Sequence, residues 1–328
     1  MTLTAIIVLW NRDNISNVKN MINSLCTHNL IYPILEKIII VNNWESELNC
    51  DFNNTLVEIL EMGKNYGPMT GRLLALQKCT TTHVWFLDDD DKVLQVSPLI
   101  KVNWEDDIDI YRFSRIGQLR HQVDYGCDEF IQSSSSSIVN TPLWNKFFRT
   151  KAVLEAMSEY IKNDLYNFFY YAEDIFLTRM VFRYLGKNIK VEDLAGLILY
   201  SSNASTFKCN TLEECKERID KLFTVNQKAK ELYVKYDLDT DAVKGGLLYF
   251  IQKVYLPNDC NFMNELKDYL RPLLRESSDL YENASDSQLN YLIDSTFRRD
   301  TVYTIPLFKY SSVSSHNIVP CQFISTHD

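Results

Sequence analysis

The sequence has no apolar run long enough to cross a bilayer. It also lacks the basic leader and extended apolar stretch of a secretion signal: "MTLTAIIVLWNRDN" carries only a short apolar run. These absences point to a cytoplasmic protein, with peripheral contact at the inner face of a membrane as an open option. No basic excess exists. The net charge is -9 over 328 residues, so the global positive footprint of a nucleic-acid binder is missing. The eight cysteines and five histidines are scattered, with no C-x-x-C and no zinc-type spacing. That pattern suits reduced thiols. Three N-x-[ST] sequons, at Asn53, Asn203 and Asn283, read as chance occurrences in an Asn-rich chain. No internal repeat is apparent.

What is present is ordinary globular material. Hydrophobic residues make up 46% and charged residues 23%, enough to build a core without covalent staples. The first half alternates strand-like and helix-like segments. "AIIVLW" (5–10), "KIIIVNN" (37–43) and "HVWFL" (83–87) are continuous apolar runs, as expected of strands buried on both faces. Ile15, Val18, Ile22 and Leu25 fall at helical spacing. In "NYGPMTGRLLALQKC" (65–79), Gly67 makes a turn, Pro68 suits the first helical position, and Met69, Leu73 and Leu76 share a face. "TLVEILEM" (55–62) fits strand or helix. This order predicts an α/β fold with a mostly parallel, Rossmann-like sheet flanked by helices.

Further along, "DIDIYRFSRI" (107–116) and "IKVEDLAGLILY" (189–200) read as strand-like, and "QSSSSSIVN" (132–140) as strand or loop. "EDIFLTRMVFRYLG" (173–186) reads as a helix with acidic residues in its first turn. From about 208 the chain turns helical. Thr211 and Glu214 form a capping box, and helical stretches follow at 240–256, 262–275 and 286–298. Two units are expected: a catalytic domain over 1–207 and a largely helical C-terminal region over 208–328.

In such sheets ligands sit beyond the carboxyl ends of the strands. Here those ends read "WNRDN", "VNNWE" and "LDDDD", all polar and all on one edge. The last is the most informative. Four adjacent carboxylates repel one another, and a divalent cation relieves that repulsion. Oxygen-only ligands select Mg2+ or Mn2+, which bind one or two carboxylates plus substrate phosphates. A D-x-D spacing lets two carboxylates face one ion. A solvated acidic turn is the bland alternative for the run by itself.

The block "KNYGPMTGRLLALQKCTTTHVWFLDDDD" resembles the N-x-G-x-x-x-x-R…F-L-D-x-D-D stretch of family 2 glycosyltransferases of the GT-A fold. "LWNKFFRT" (143–150) and "AEDIFLTRM" (172–180) are similar to that family's W-N-K-x-x-R segment and E-D helix start. "IIVLWNRDN" resembles its first strand and Asn-containing loop. The matches occur in order over about residues 3–186.

The resemblance implies transfer of a sugar from a nucleotide-diphosphate sugar, UDP-linked by expectation, to an acceptor hydroxyl with inversion at the anomeric carbon. It implies Mn2+ or Mg2+ at Asp90, with Asp88 facing the ribose or the metal's water, and Asp174 as the catalytic base. Asn11, Arg12, Asn42, Asn43, Asn65, Arg72, Asp88 and Asp89 become donor-side candidates. Asp91, Trp144, Asn145, Lys146 and Glu173 become acceptor-side candidates. Lys146 and Arg149 fit phosphate contacts or pairing with surface acids. The chain departs from the family at "VNNWE", where aspartates commonly stand; an amide both donates and accepts, so it can still read a pyrimidine edge. In "LYSSNASTFK" (199–208) only Lys208 offers a late basic group.

The expected product is a polysaccharide, a lipid-linked glycan or a glycoprotein glycan. Aromatic-rich stretches at 166–171 and 247–255 are candidate membrane contacts. A transferase acting on a modified DNA base is the first alternative, opposed by the acidic balance. A non-catalytic GT-A binding module is the second, opposed by the joint presence of Asp88, Asp90 and Asp174. A nucleotidyltransferase would bring a Gly-rich, basic phosphate loop after the first strand, which is absent.

Overall fold

The structure, a computed structural model, describes residues 1–9, 12–97, 99–113, 143, 145–162, 181, 189–192, 198–199, 209–235, 247, 263–277 and 281–298. Seven strands form one sheet in the order β3-β2-β1-β4-β7-β6-β8. They are β1 (Leu3–Leu9), β2 (Leu35–Asn42), β3 (Val57–Glu61), β4 (His83–Asp88), β6 (Ile110–Phe113), β7 (Lys146–Arg149) and β8 (Ile189–Glu192). β1 pairs in parallel with β2 and β4, and β2 with β3. β7 runs antiparallel to both β4 and β6, whereas β6 and β8 are parallel. A separate two-stranded ribbon joins β5 (Lys92–Val93) to β9 (Ile198–Leu199). The expected mostly parallel, GT-A-like sheet is therefore present, and the 55–62 segment resolves as strand.

The continuous apolar runs explain the centre of the sheet. Every residue of β1 is buried, because helices cover both faces and period-2 alternation has no polar side to serve. Ile6, Val8, Ile39, Val41, Val84 and Phe86 face α2 (Pro68–Leu76) and α3 (Thr150–Lys162). Ala5, Ile7, Ile38, Ile40, Trp85 and Leu87 face α1 (Ile15–Thr27) through Val18, Met21, Ile22 and Leu25. The sequence reading assigns nothing to 150–162, yet α3 is amphipathic: Ala152, Val153, Ala156 and Met157 are buried at helical spacing.

Among the described residues the C-terminal region is helical: α4 (Leu212–Lys235), α5 (Met263–Ser277) and α6 (Asp286–Arg298). Leu222 of α4, Leu266, Leu270 and Leu274 of α5, and Leu289 and Ile293 of α6 share a third core. Val225 of α4 instead joins the core on the α2 and α3 side of the sheet. The capping box at α4 forms one residue out of register. Thr211 Oγ1 accepts the Glu214 N–H at 3.1 Å, while the Glu214 carboxylate accepts the Asn210 N–H at 2.7 Å. The expected elements at 132–140, most of 173–186 and most of 240–256 lie outside the described residues. So do the aromatic stretch at 166–171 and most of that at 247–255.

Candidate active site

Strand register brings the polar strand ends to one edge. Leu9 of β1 lies opposite Asn42 of β2, Asn42 opposite Glu61 of β3, and Val8 opposite Asp88 of β4. Helix α2 begins at the same edge. Gly67 has φ 85°, in the left-handed region that favours glycine, and Pro68 opens the helix behind it. The helix then packs very close to the sheet at Gly71. A Cβ there would lie 2.9 Å from Val41 Cγ1 and 3.6 Å from Val8 Cγ1.

That docking delivers Arg72 to the acidic turn. Its side chain is only 6% exposed, and its guanidinium donates to Asp88 Oδ1 at 2.7 Å. Asp88 remains 39% exposed. Asp91 is fully buried. Its Oδ2 accepts the Asp88 N–H at 2.9 Å, and its own N–H donates to the Asp88 carbonyl oxygen at 3.1 Å. Its Oδ1 has no donor among the described residues.

Electrostatics follow from this crowding. Burial, with Asp88 and Asp89 beside it, pushes the Asp90 carboxyl up to about 6. Burial and the neighbouring Asp88 likewise raise Asp91 well above the usual carboxylate range. Such crowding of buried like charge is the condition a divalent cation relieves. The donor set is all oxygen, as Mg2+ or Mn2+ requires. Among the described residues no three acidic, His or Cys side chains converge as a protein-only metal cage. The residues present thus fit an ion completed by substrate phosphates, held by Asp90 with Asp88 beside it.

The two strand-end asparagines are engaged within the fold. Asn42 is buried; its amide donates to the Ser46 carbonyl oxygen at 2.8 Å and to the Glu61 carboxylate. Glu61 also accepts the Leu48 N–H at 2.9 Å, so the two side chains pin the loop after β2. Asn43 is also buried. Its Nδ2 donates to Asn65 Oδ1 at 3.1 Å and its Oδ1 accepts the Tyr66 N–H at 3.0 Å. Asn65 Oδ1 further accepts the Gly67 N–H at 2.9 Å. Asn43 and Asn65 together hold the turn that starts α2. Asp89 is buried within the acidic turn.

Of the acceptor-side candidates, Lys146 is fully buried at the start of β7, opposite Arg112 of β6, and donates to Asn145 Oδ1 at 2.7 Å. Arg149 lies at the other end of β7, opposite His83, and pairs with Asp109 at 2.9 Å. That places it at the edge of the sheet away from Asp88. Arg12 begins a short 3-10 turn after β1. Asn11, Trp144, Glu173, Asp174 and Lys208 lie outside the described residues.

Sequence reasoning passed over two aromatic residues. Trp44 and Tyr66 directly follow Asn43 and Asn65, and both are exposed, 36% and 41%. The Lys64 ammonium stacks 4.4 Å from the Tyr66 ring centroid. The signal was a large aromatic directly after a strand-end or turn asparagine, beside a turn glycine in the case of Tyr66.

The mostly parallel sheet, the acidic turn closing its central β4 and the glycine-started helix beside it define a GT-A-type fold. Residues 4–118, about a third of the chain, match the family model Glycosyl transferase family 2, in line with the motif resemblance. The crystal structure of S. aureus TarS superposes with TM-score 0.51 at 15% identity over 92% of this chain. This chain spans 53% of the length of that TarS chain. The crystal structure of S. aureus TarS 1-349 in complex with UDP-GlcNAc gives TM-score 0.50 at 12% identity, covering 93% of each chain. A search of curated proteins found no match. Among the described residues no helix is long and apolar enough to cross a membrane.

Proposed function

We propose that this protein is a metal-dependent, inverting glycosyltransferase that moves a sugar from a UDP-linked donor to an acceptor hydroxyl. The observation that carries the reading is the acidic turn at the ligand edge. Asp90 is desolvated and raised to about 6, while the neighbouring Asp88 is half exposed and held by Arg72. A bound divalent cation would add positive charge where the diphosphate leaves. Asp90 is the residue to hold it, with Asp88 positioned toward the ribose or a metal-bound water.

Asp174 is the proposed base. As the acceptor oxygen bonds to the anomeric carbon, its proton passes to the Asp174 carboxylate. The bond from that carbon to the diphosphate oxygen breaks, and the nucleoside diphosphate leaves with the electron pair. Attack opposite the leaving group inverts the anomeric centre. Residues 208–328 are proposed to serve acceptor binding or oligomerisation, and the acceptor to be a glycan, a lipid-linked glycan or a glycoprotein.

UDP-GlcNAc is the first donor to test, because a protein of the same fold is seen bound to it. The experiment is thermal unfolding with UDP-sugars, with and without Mn2+, on the wild type and Asp90→Ala. A donor at a hundredfold excess over its dissociation constant adds about 2.7 kcal/mol of stability. A Mn2+-dependent rise in Tm that disappears in Asp90→Ala supports the reading. A well-folded protein that responds to no nucleotide sugar refutes it.

A further inference from the structure

Residues 209–216 read "CNTLEECK", so two cysteines bracket the capping box that starts α4. Three hydrogen bonds fold this stretch back on itself. Thr211 Oγ1 accepts the Glu214 N–H at 3.1 Å, the Glu214 carboxylate accepts the Asn210 N–H at 2.7 Å, and the Cys215 N–H donates to the Thr211 carbonyl oxygen at 3.1 Å. The fold-back brings sulfur to sulfur: the Cys215 thiol hydrogen-bonds the Cys209 sulfur. Both residues are thiols in this structure, and both are buried in the third core, 2% and 0% exposed. Two thiols in contact have the proximity that a disulfide requires. Their cover is thin. Asn210, Thr211 and Glu213 are exposed, and a terminal helix turn opens for far less free energy than the whole fold. Burial raises the Cys209 thiol above its ordinary range, while the Arg218 guanidinium and the Cys215 thiol act against that. With the turn closed, Cys209 is therefore a poor nucleophile. When it opens, the burial that disfavours the thiolate is lost.

We propose that Cys209 and Cys215 are a redox pair, reduced at rest, which a hydroperoxide converts into a disulfide across the start of α4 when the first turn opens. The Cys209 thiolate attacks a peroxide oxygen. The O–O bond breaks, Cys209 becomes a sulfenic acid, and the departing alkoxide or hydroxide takes up the thiol's proton. The Cys215 sulfur then attacks the sulfenic sulfur. The S–O bond breaks, and hydroxide leaves with the Cys215 proton as water. Together the two thiols lose two electrons and two protons, and the hydroperoxide is reduced to an alcohol, or water, plus one further water. α4 contributes Leu222 to the third core and Val225 to the core on the α2 and α3 side of the sheet. The bond therefore staples the entry of an element that both cores share.

The test treats the full-length protein with hydrogen peroxide, alkylates the remaining thiols, digests with trypsin and weighs the peptides. Lys208 and Lys216 make residues 209–216 a single tryptic peptide, so an internal disulfide is read directly. Expected is a peptide lighter by two hydrogen atoms that carries no alkyl group, with the change reversed by dithiothreitol. The oxidised protein should melt about 3 °C higher, as closing so short a loop implies for a chain of this size. Thr211→Ala weakens the cap and should form the disulfide about fivefold faster while still folded. Cys215→Ser should lose the Tm rise, and Cys209→Ser serves in its place if that variant does not fold; the peptide readout on the wild type needs neither. Several outcomes overturn the proposal. They are a peptide that still takes two alkyl groups, a disulfide from either cysteine to a different one, and sulfinic or sulfonic acid in place of the disulfide. A Tm that is unchanged or lower, or a rise that the serine variant keeps, does the same. So does oxidation that is no faster in Thr211→Ala, or that proceeds only at the rate of global unfolding.

Discussion

Replacing Asn43 with alanine separates two roles that a strand-end asparagine can have. If Asn43 reads the donor base, its loss weakens donor binding and leaves the fold intact. The structure gives it another task. The buried amide joins the end of β2 to the turn that starts α2 through two hydrogen bonds, at 3.1 Å to Asn65 and 3.0 Å from Tyr66. Each is worth about 1 kcal/mol net, and a partly buried N–H left without its acceptor adds to the cost. We expect Asn43→Ala to destabilise the protein by about 2–3 kcal/mol, read from urea unfolding as a lower midpoint at unchanged slope. Asn43→Asp sharpens the test. The aspartate keeps an oxygen for the Tyr66 N–H but turns a second oxygen toward Asn65 Oδ1. Asn65 cannot reverse its amide without giving up the Gly67 N–H it accepts at 2.9 Å. Asn43→Asp should therefore be no more stable than Asn43→Ala. A loss under about 0.5 kcal/mol for Asn43→Ala, below the range for even one such bond, would refute the argument and return Asn43 to the ligand.

Other outcomes follow from the same geometry. Gly71→Ala gains about 1 kcal/mol of helix propensity. It also forces a methyl to 2.9 Å from Val41 Cγ1, on a β-branched side chain with little rotamer freedom, so a net loss of about 1–2 kcal/mol is expected in urea unfolding; equal or higher stability would show that α2 can shift. His28 is buried, and its Nδ1 accepts the Leu30 N–H at 3.1 Å, so the ring is neutral and Nε2 donates to the Leu94 carbonyl oxygen. Burial lowers its pKa from the ordinary 6.5, so its contribution is complete above about pH 6.5 and shrinks as pH falls below that, by at most about 1.4 kcal/mol per pH unit. Asp90, raised to about 6, changes stability in the opposite sense; the measurement is therefore the wild type minus His28→Gln difference between pH 7.5 and 5.5, and a constant difference would count against the assignment. Asp174→Asn should lower sugar transfer by about 10²–10⁴-fold, the usual range for a general base, with donor binding unchanged by calorimetry; a variant with full activity would remove Asp174 from the mechanism.

The central strands were legible because burial on both faces leaves one signal, an unbroken apolar run, and β1, β2 and β4 each show it. Helix α1 was legible through Val18, Ile22 and Leu25, and α6 over the range expected for it. β3 stayed ambiguous because four half-buried residues and an exposed one, in an outer strand, carry neither a clear period of two nor one of 3.6. β7 and α3 were obscured for another reason. The "LWNKFFRT" segment drew attention as a ligand stretch, but Phe147 and Phe148 alternate between the two cores as strand residues do, and the amphipathic α3 begins at its last residue, Thr150. Asn42, Asn43 and Arg72 could not have been resolved from sequence. An amide or guanidinium at a strand edge has the same letter whether it meets a ligand or another side chain. Which it meets depends on loop geometry that no local pattern encodes.

The run of four aspartates shows how like charges can be adjacent without being equivalent. Chain direction after β4 sends each carboxylate to a different environment. Asp88 stays at the rim and takes the guanidinium. Asp91 returns beneath it to accept the Asp88 N–H, at the cost of complete burial. Asp90, between them, is desolvated beside Asp88 and Asp89, which raises its carboxyl to about 6. Had all four remained solvated, water and salt would screen them and none would have raised proton affinity. The crowding at Asp90 is held in place by Asp91, which closes the turn, and by the Arg72–Asp88 pair. The unequal behaviour of adjacent carboxylates is thus set by how their neighbours are satisfied, as much as by their place in the run.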